Sequence, residues 1–204
     1  MNEGDGVMLK NEAQENNVSQ EVFYKHFLRL HYREILREGR GLGRLSLAVG
    51  QRLLSVPGFR RARRVGIYLS QPLEVDTQGI LREDFEWYVP VVFPKTHRLR
   101  FSRWTPDTPL VRNVYGIQEP AVRVRRFVSV NFLDFLVVPG SAFTRNGDRL
   151  GAGGGYYDRL LAKPHPPVVG LAYDQQLAER LPVSSFDGRV DFVVTPTRIF
   201  RSKK

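Results

Sequence analysis

The chain has 204 residues, a formal net charge of +10, 42% hydrophobic and 25% charged content, and no cysteine. That length suits one domain with a sizeable core. The missing cysteine excludes disulfides, thiolate nucleophiles and zinc–thiolate centres, and no apolar run approaches the roughly 20 residues of a membrane-spanning helix.

The positive balance favours anionic partners: polyphosphates, acidic small molecules or nucleic acid. Much of the charge is local, in the run Arg60, Arg61, Arg63 and Arg64 and in the tail Arg198, Arg201, Lys203 and Lys204, both of which read as solvated surface. No zinc-finger, helix-turn-helix or RNA-recognition pattern accompanies it.

In chain order, residues 1–20 are polar, mostly acidic and without the apolar segment of a secretory signal, which predicts a disordered extension ahead of a single domain at 21–204. Gln20 to Glu38 is predicted helical, with Val22, Phe23, Phe27, Leu30 and Leu36 as its apolar stripe. Lys25, Arg29 and Arg33 stand four apart on another face. A second helix is predicted over 45–54, and a strand over 64–69 that breaks at Ser70-Gln71-Pro72. Glu74-Val75-Asp76-Thr77 is suited to opening a short helix. Strands are predicted at 87–92 and at 99–104, the latter alternating outward arginine with inward apolar groups. Residues 105–120 read as irregular. A strand follows at 132–138, then a helix start at 156–161, a strand at 168–173, a helical turn at 175–180 and a last strand at 192–195. Strands alternating with helical segments give an α/β domain with a largely parallel, helix-flanked sheet of three-layer, Rossmann-like form. In such sheets ligands bind beyond the carboxyl ends of the strands, where Glu74 and the segment after residue 138 both fall.

That segment is the most informative stretch. Asn146 to Arg159 reads Asn-Gly-Asp-Arg-Leu-Gly-Ala-Gly-Gly-Gly-Tyr-Tyr-Asp-Arg. Gly151 and Gly153 to Gly155 let main-chain N–H groups approach a ligand with no Cβ in the way. Arg149 can pair with phosphate oxygens, and Asp158 can hold the magnesium that travels with them. Strand, glycine loop and helix start is also a layout that binds anions. The spacing matches neither the dinucleotide fingerprint nor the P-loop.

Together with Pro139-Gly140-Ser141-Ala142-Phe143, this segment resembles the signature of the 5-formyltetrahydrofolate cyclo-ligase (5,10-methenyltetrahydrofolate synthetase) family. Further matches follow in order: Lys25 and Arg29 as Lys-x-x-x-Arg, Tyr68-Leu69 with Glu74 to Thr77, and Tyr115 to Pro120. Leu181-Pro182, Asp187 and Val193-Val194-Thr195 complete the set. The resemblance spans about residues 22–197. It implies ATP- and Mg2+-dependent closure of 5-formyltetrahydrofolate to 5,10-methenyltetrahydrofolate, with release of ADP and phosphate. Lys25 and Arg149 are then the catalytic cations. Lys25, Arg29, Arg149, Leu150, Gly151, Ala152, Gly153, Gly154, Gly155, Tyr156 and Tyr157 would bind ATP. Glu74 would hydrogen-bond the pterin, with Leu69, Trp104, Ala152, Gly153, Gly154, Gly155 and Tyr156 completing the folate pocket. Asp158 and Asp187 would bind magnesium. No nucleophilic side chain is needed, in keeping with the absent cysteine. The implied setting is a cytoplasmic monomer acting on small molecules, without membrane or specific nucleic acid.

The chain departs from the family pattern at three places. Ala152 stands where relatives usually carry a larger side chain, the helix between Thr77 and Tyr88 is short, and Phe186 precedes Asp187 where many relatives have histidine. None removes a phosphate, metal or pterin residue, so activity is expected. Two other readings stay open on the residues alone: a non-catalytic folate- or nucleotide-binding module of the same fold, and a basic protein that interacts with nucleic acid.

Overall fold

Phe135, Leu136, Val137 and Val138 are buried without exception, the pattern of a strand covered on both faces. Around them the computed structural model describes residues 3–81, 84–184 and 186–203, with side chains from Gln20 onward. Helices α1 (Glu3–Glu38) and α2 (Leu42–Leu53) come first. Strands β1 (Arg64–Ile67), β2 (Glu86–Phe93), β3 (Arg98–Trp104), β4 (Leu110–Arg112), β5 (Gln118–Pro120), β6 (Phe127–Val128), β7 (Phe135–Val138), β8 (Ala142–Thr144) and β9 (Arg149–Leu150) lead to α3 (Tyr156–Leu161). After it come β10 (Val168–Leu171), β11 (Leu177–Ala178), β12 (Phe192–Val194) and β13 (Ile199–Arg201).

The main sheet has eight strands in the order β13-β12-β10-β7-β1-β2-β3-β6. Strands β12, β10, β7, β1 and β2 run parallel, while β13, β3 and β6 are antiparallel additions at the edges. The chain steps from β1 to β2 on one side and reaches β7 on the other. The topological switch point therefore lies between β1 and β7, and the loops leaving their carboxyl ends diverge there. One face of the sheet buries Val65, Ile67, Val137 and Leu171 with Val49 and Leu53 of α2. The other buries Leu136, Val138 and Val193 with Leu161 of α3. The expected α/β architecture is the observed one. A small sheet, β11-β8-β9, stands apart and carries the start of the glycine segment.

Several expectations are corrected. Helix α1 begins at Glu3 rather than Gln20. Its backbone crosses most of the stretch expected to be disordered, where no proline interrupts the helix-forming residues. Met1, Asn2 and the side chains before Gln20 lie outside the described residues. The buried stripe of α1 is Leu28, Tyr32 and Leu36, whereas Val22, Phe23, Phe27 and Leu30 are exposed. Leu28 and Tyr32 pack on Ala142, Leu150 and Leu181 beside the small sheet, so the surface available to the helix, not its most apolar face, selects the stripe.

The strand expected at 132–138 starts at Phe135, because Val130–Phe132 forms a 3-10 turn. Glu74 opens no helix but closes a turn, its N–H donating to the Gln71 carbonyl at 3.1 Å; the helical segment that follows is the short 3-10 turn Gln78–Ile80, with residues 82–83 outside the described region. The helical turn expected at 175–180 is Asp174–Gln176 in 3-10 form, and Leu177–Ala178 then pairs with β8 as a strand. The stretch 105–120 folds into the β4–β5 hairpin. The basic tail supplies β13, whose burial comes from Ile199 and Phe200 rather than from its charges.

Candidate active site

A cleft of about 770 Å3 opens at the switch point. The loop after β1 forms one side, through Leu69, Gln71, Leu73 and Glu74. The glycine segment forms another, through Arg149, Gly151, Ala152, Gly154 and Gly155, with Tyr156, Tyr157 and Asp158 of α3. Helix α1 closes over it with His26, Arg29, Leu30, Arg33, Leu36 and Arg37. Pro90 and Val92 of β2, Leu99 of β3, and Ile117 and Gln118 of the hairpin complete an apolar wall.

The glycine segment can take its shape only because of its composition. Gly153 and Gly155 have φ of +105° and +66°, in the left-handed region that side chains rarely adopt. Gly155 is the last residue before α3, so the bend delivers the chain directly into the helix. From above, Arg29 Nε donates to the Gly151 carbonyl at 2.8 Å, and the Arg29 guanidinium lies over Gly153. From below, the buried Arg149 guanidinium pairs with Asp158 Oδ1 at 2.5 Å and donates to the Pro139 carbonyl at 3.3 Å. It also lies 5.5 Å from the centre of the Tyr157 ring. Arg149 Nε has no partner among the described residues.

Beside the cleft rather than in its wall, Lys25 bridges Asp187 at 2.6 Å and Glu21 at 2.7 Å. Burial opposes the Lys25 charge, yet its hydrogen bonds to Asp187 and Glu21 hold the ammonium above its ordinary pKa. Burial likewise opposes the Asp187 charge, and only the Lys25 bond and charge together with the bonds from Ser184 N–H and Oγ outweigh it, leaving the carboxyl below its usual range. Gly188 N–H donates to Asp158 Oδ1 at 3.3 Å, which brings the two aspartates to one place. Asp158 Oδ2 and Asp187 Oδ1 accept no hydrogen bond among the described residues, so each carboxylate keeps an oxygen for a cation.

Glu74 sits on the opposite wall. Burial pushes its pKa up to about 7, against the pull of the Gln71 N–H that it accepts at 2.7 Å. The residue before it, Leu73, has φ of +74°, a strained conformation for a branched side chain. That strain is held in place from outside. Tyr173 Oη donates to the Glu74 carbonyl at 3.1 Å and meets Ser46 Oγ at 2.8 Å, and Ser46 Oγ accepts from Asp76 N–H at 3.0 Å.

Among the residues expected at the site, the cleft brings together Glu74, Leu69, Arg29, Arg149, Gly151, Ala152, Gly154, Gly155, Tyr156, Tyr157 and Asp158. Leu150 turns its side chain into the packing beneath α1, leaving only its backbone to the bend. Trp104 is a correction. Strand β3 runs antiparallel to β2, so Trp104 pairs with Trp87 at the start of β2, the end of the sheet away from the cleft, and is buried in the core there. Leu99, at the start of the same strand, faces the cleft instead. Sequence reasoning also missed Gln176. It donates to the Gly140 and Ser141 carbonyls at 2.9 and 3.2 Å and accepts from Tyr173 N–H at 2.8 Å, so it pins the turn after β7. Tyr115, at the hairpin tip, meets Tyr156 hydroxyl to hydroxyl at 2.9 Å. The family resemblance marked the motif Tyr115 to Pro120, but nothing in it announced a hairpin.

A sheet of this topology, with a glycine bend, cations and a partly buried carboxylate lining a cleft at its switch point, has the layout of an α/β ligand-binding enzyme fold. Comparison with known proteins gives the family. Residues 20–196 match the model of the 5-formyltetrahydrofolate cyclo-ligase family. The chain is 39% identical over 149 residues to the 5-formyltetrahydrofolate cyclo-ligase of Haemophilus influenzae, covering 69% of this chain and 79% of that one. It is 38% identical over 159 residues to the Escherichia coli K12 protein of that name, covering 73% and 86%. Among solved structures, the 5,10-methenyltetrahydrofolate synthetase of Aquifex aeolicus superposes with a TM-score of 0.76 at 33% identity, covering 88% and 93% of the two chains. The chain belongs to the 5-formyltetrahydrofolate cyclo-ligase family and is a ligase.

Proposed function

We propose that the protein closes 5-formyltetrahydrofolate to 5,10-methenyltetrahydrofolate with consumption of ATP in the presence of Mg2+. The observation that carries this reading is the seating of α1 on the glycine bend, Arg29 Nε to Gly151 O at 2.8 Å, opposite the partly buried Glu74 in one cleft. Glycine amides and cations at one end suit a polyphosphate. An acceptor carboxylate in an apolar wall suits the donor edge of a pterin.

The chemistry is economical. A formamide oxygen is a poor leaving group. Its attack on the γ-phosphorus breaks the bond to the β,γ-bridging oxygen and releases ADP. The N10 lone pair then attacks the activated formyl carbon, the carbon–oxygen bond to phosphate breaks, and N10 gives up its proton to solvent. The second attack lies within one molecule, so correct placement supplies much of the rate. Arg29 and Lys25 would bind the polyphosphate, with Lys25 exchanging its carboxylate partners for phosphate oxygens. Arg149 would hold the bend and Asp158 in place while adding positive potential beneath the transferring group. Glu74, as the carboxylate, would accept from the pterin, with Leu69 and Tyr156 against the ring system.

Asp158 and Asp187 suit magnesium: Gly188 N–H ties Asp158 to the residue after Asp187, each carboxylate keeps an oxygen with no hydrogen bond among the described residues, and this ion takes few carboxylates beside phosphate oxygens and water. When bound, Mg2+ would neutralise phosphate charge. The same reading makes the protein a cytoplasmic monomer acting on small molecules; no helix among the described residues is long and apolar enough to cross a membrane. The test is a spectrophotometric assay for the methenyl product with ATP, Mg2+ and 5-formyltetrahydrofolate. Product that depends on all three is expected. Folate binding without product at high protein concentration would instead establish a non-catalytic module.

A further inference from the structure

The cationic row of α1 continues past the residues that serve the phosphate end. Lys25 is held by Glu21 and Asp187, Arg29 by the glycine bend, and Arg37 by Glu34 at 3.2 Å. Arg33 stands between Arg29 and Arg37. It is exposed, it lines the cleft, and it has no ion pair or hydrogen bond among the described residues. An exposed arginine that lines a cleft and spends no donor on the protein can offer all of them to an anionic ligand.

Position selects which anion. Arg33 lies one helical turn beyond Arg29, about 6 Å further along the axis from the glycine bend. Leu30 and Leu36, three residues to either side, share its face of α1 and line the same cleft. That part of the cleft is apolar and suits the folate rather than the nucleotide. The anionic groups a folate presents are the carboxylates of its glutamyl end, at the opposite end of the molecule from the pterin.

Resting on the folate reading above, we propose that Arg33 binds a glutamyl carboxylate of the substrate and sets a preference for folates over the corresponding uncharged pteroyl amides. Ring closure needs only the N5-formyl group and N10, so the N-methylamide of 5-formyltetrahydropteroate, whose benzoyl end carries neither glutamate nor a free carboxylate, can undergo the same chemistry with no anion to recognise.

The experiment measures kcat and KM for both substrates, and KM for ATP, in the wild type, Arg33→Gln and Arg33→Lys. Arg33→Gln is expected to lose about fivefold in kcat/KM for the folate, through KM, as for an exposed charge-assisted pair, while the pteroyl amide is unaffected. Arg33→Lys keeps the charge and most of the preference. An equal loss on both substrates, an unchanged ratio, or a rise confined to KM for ATP would overturn the assignment while leaving ring closure standing. A wild type that closes neither substrate would overturn the cyclo-ligase reading and Arg33's role with it.

Discussion

The two ends of the central sheet are built on opposite principles. At the carboxyl end the chain leaves the strands through Leu73 at φ +74°, Gly153 at +105° and Gly155 at +66°, and encloses Arg149 and Glu74. At the amino end aromatic rings fill the space. Phe59 contacts Phe85 and Phe135 at 5.5 and 5.3 Å between centroids, and Phe85 contacts Trp87 at 5.2 Å. The charge there is neutralised on the spot. Asp134 accepts from the N–H groups of Arg63 and Arg64 and pairs with the Arg64 guanidinium at 2.7 Å, which holds its pKa down at about 2. One end of the fold stores strain and partly satisfied polar groups, and the other supplies packing that pays for them.

If that division is right, substitutions at the two ends separate turnover from stability. The largest effect is expected for Arg149→Ala, which should touch both. Losing a cation from beneath the bend should cost about 100-fold or more in kcat/KM. Leaving Asp158 without its partner should cost about 3 kcal/mol of stability. Steady-state rates and urea unfolding of the same preparation check the pair of effects, and near-normal turnover would remove Arg149 from the site.

Phe135→Ala probes the other end. Truncating this buried ring should cost about 3–5 kcal/mol in urea unfolding while KM for both substrates stays unchanged. A change in KM comparable to that of site variants would break the division.

Glu74→Gln should have the smallest effect, about tenfold in kcat/KM for the folate, the scale of a hydrogen bond to a charged group. Its signature is in the pH dependence. The native pKa near 7 lies above the ordinary value of 4.5, so the folded state holds this proton more tightly than the unfolded chain. Stability from this group is therefore full below about 4.5 and falls as pH rises through about 7. Folate binding should move the other way, because the carboxylate is the acceptor: KM should fall as pH rises through the same range. Both slopes should flatten in the glutamine variant. A wild-type KM independent of pH between 5 and 8 would exclude the acceptor role.

The legible parts of this molecule were those where local chemistry and tertiary structure agree. The helix Tyr156–Leu161 stood at its expected bounds because glycine ends on one side and proline follows on the other. Strands β2, β3, β10 and β12 matched within two residues because apolar and β-branched runs have few alternatives to a buried sheet. The glycine bend announced itself by composition. What escaped had no local signal. The β4–β5 hairpin is held by cross-strand pairing and by Glu119, which reaches Val92 N–H at 3.0 Å and Arg125 at 2.8 Å. Gln176, Tyr173 and Ser46 are ordinary residues in sequence, and they matter because distant segments converge on them.

By itself the sequence determined the parallel α/β layout, the glycine bend and the row of cations four apart on α1, since backbone freedom and helical periodicity depend on near neighbours. Only the tertiary structure decided which face of α1 is buried, that Leu99 rather than Trp104 borders the cleft, and that Arg149 is paired with Asp158. These follow from strand direction and from which surfaces remain uncovered once the sheet has formed, and neither is written in any short stretch of chain.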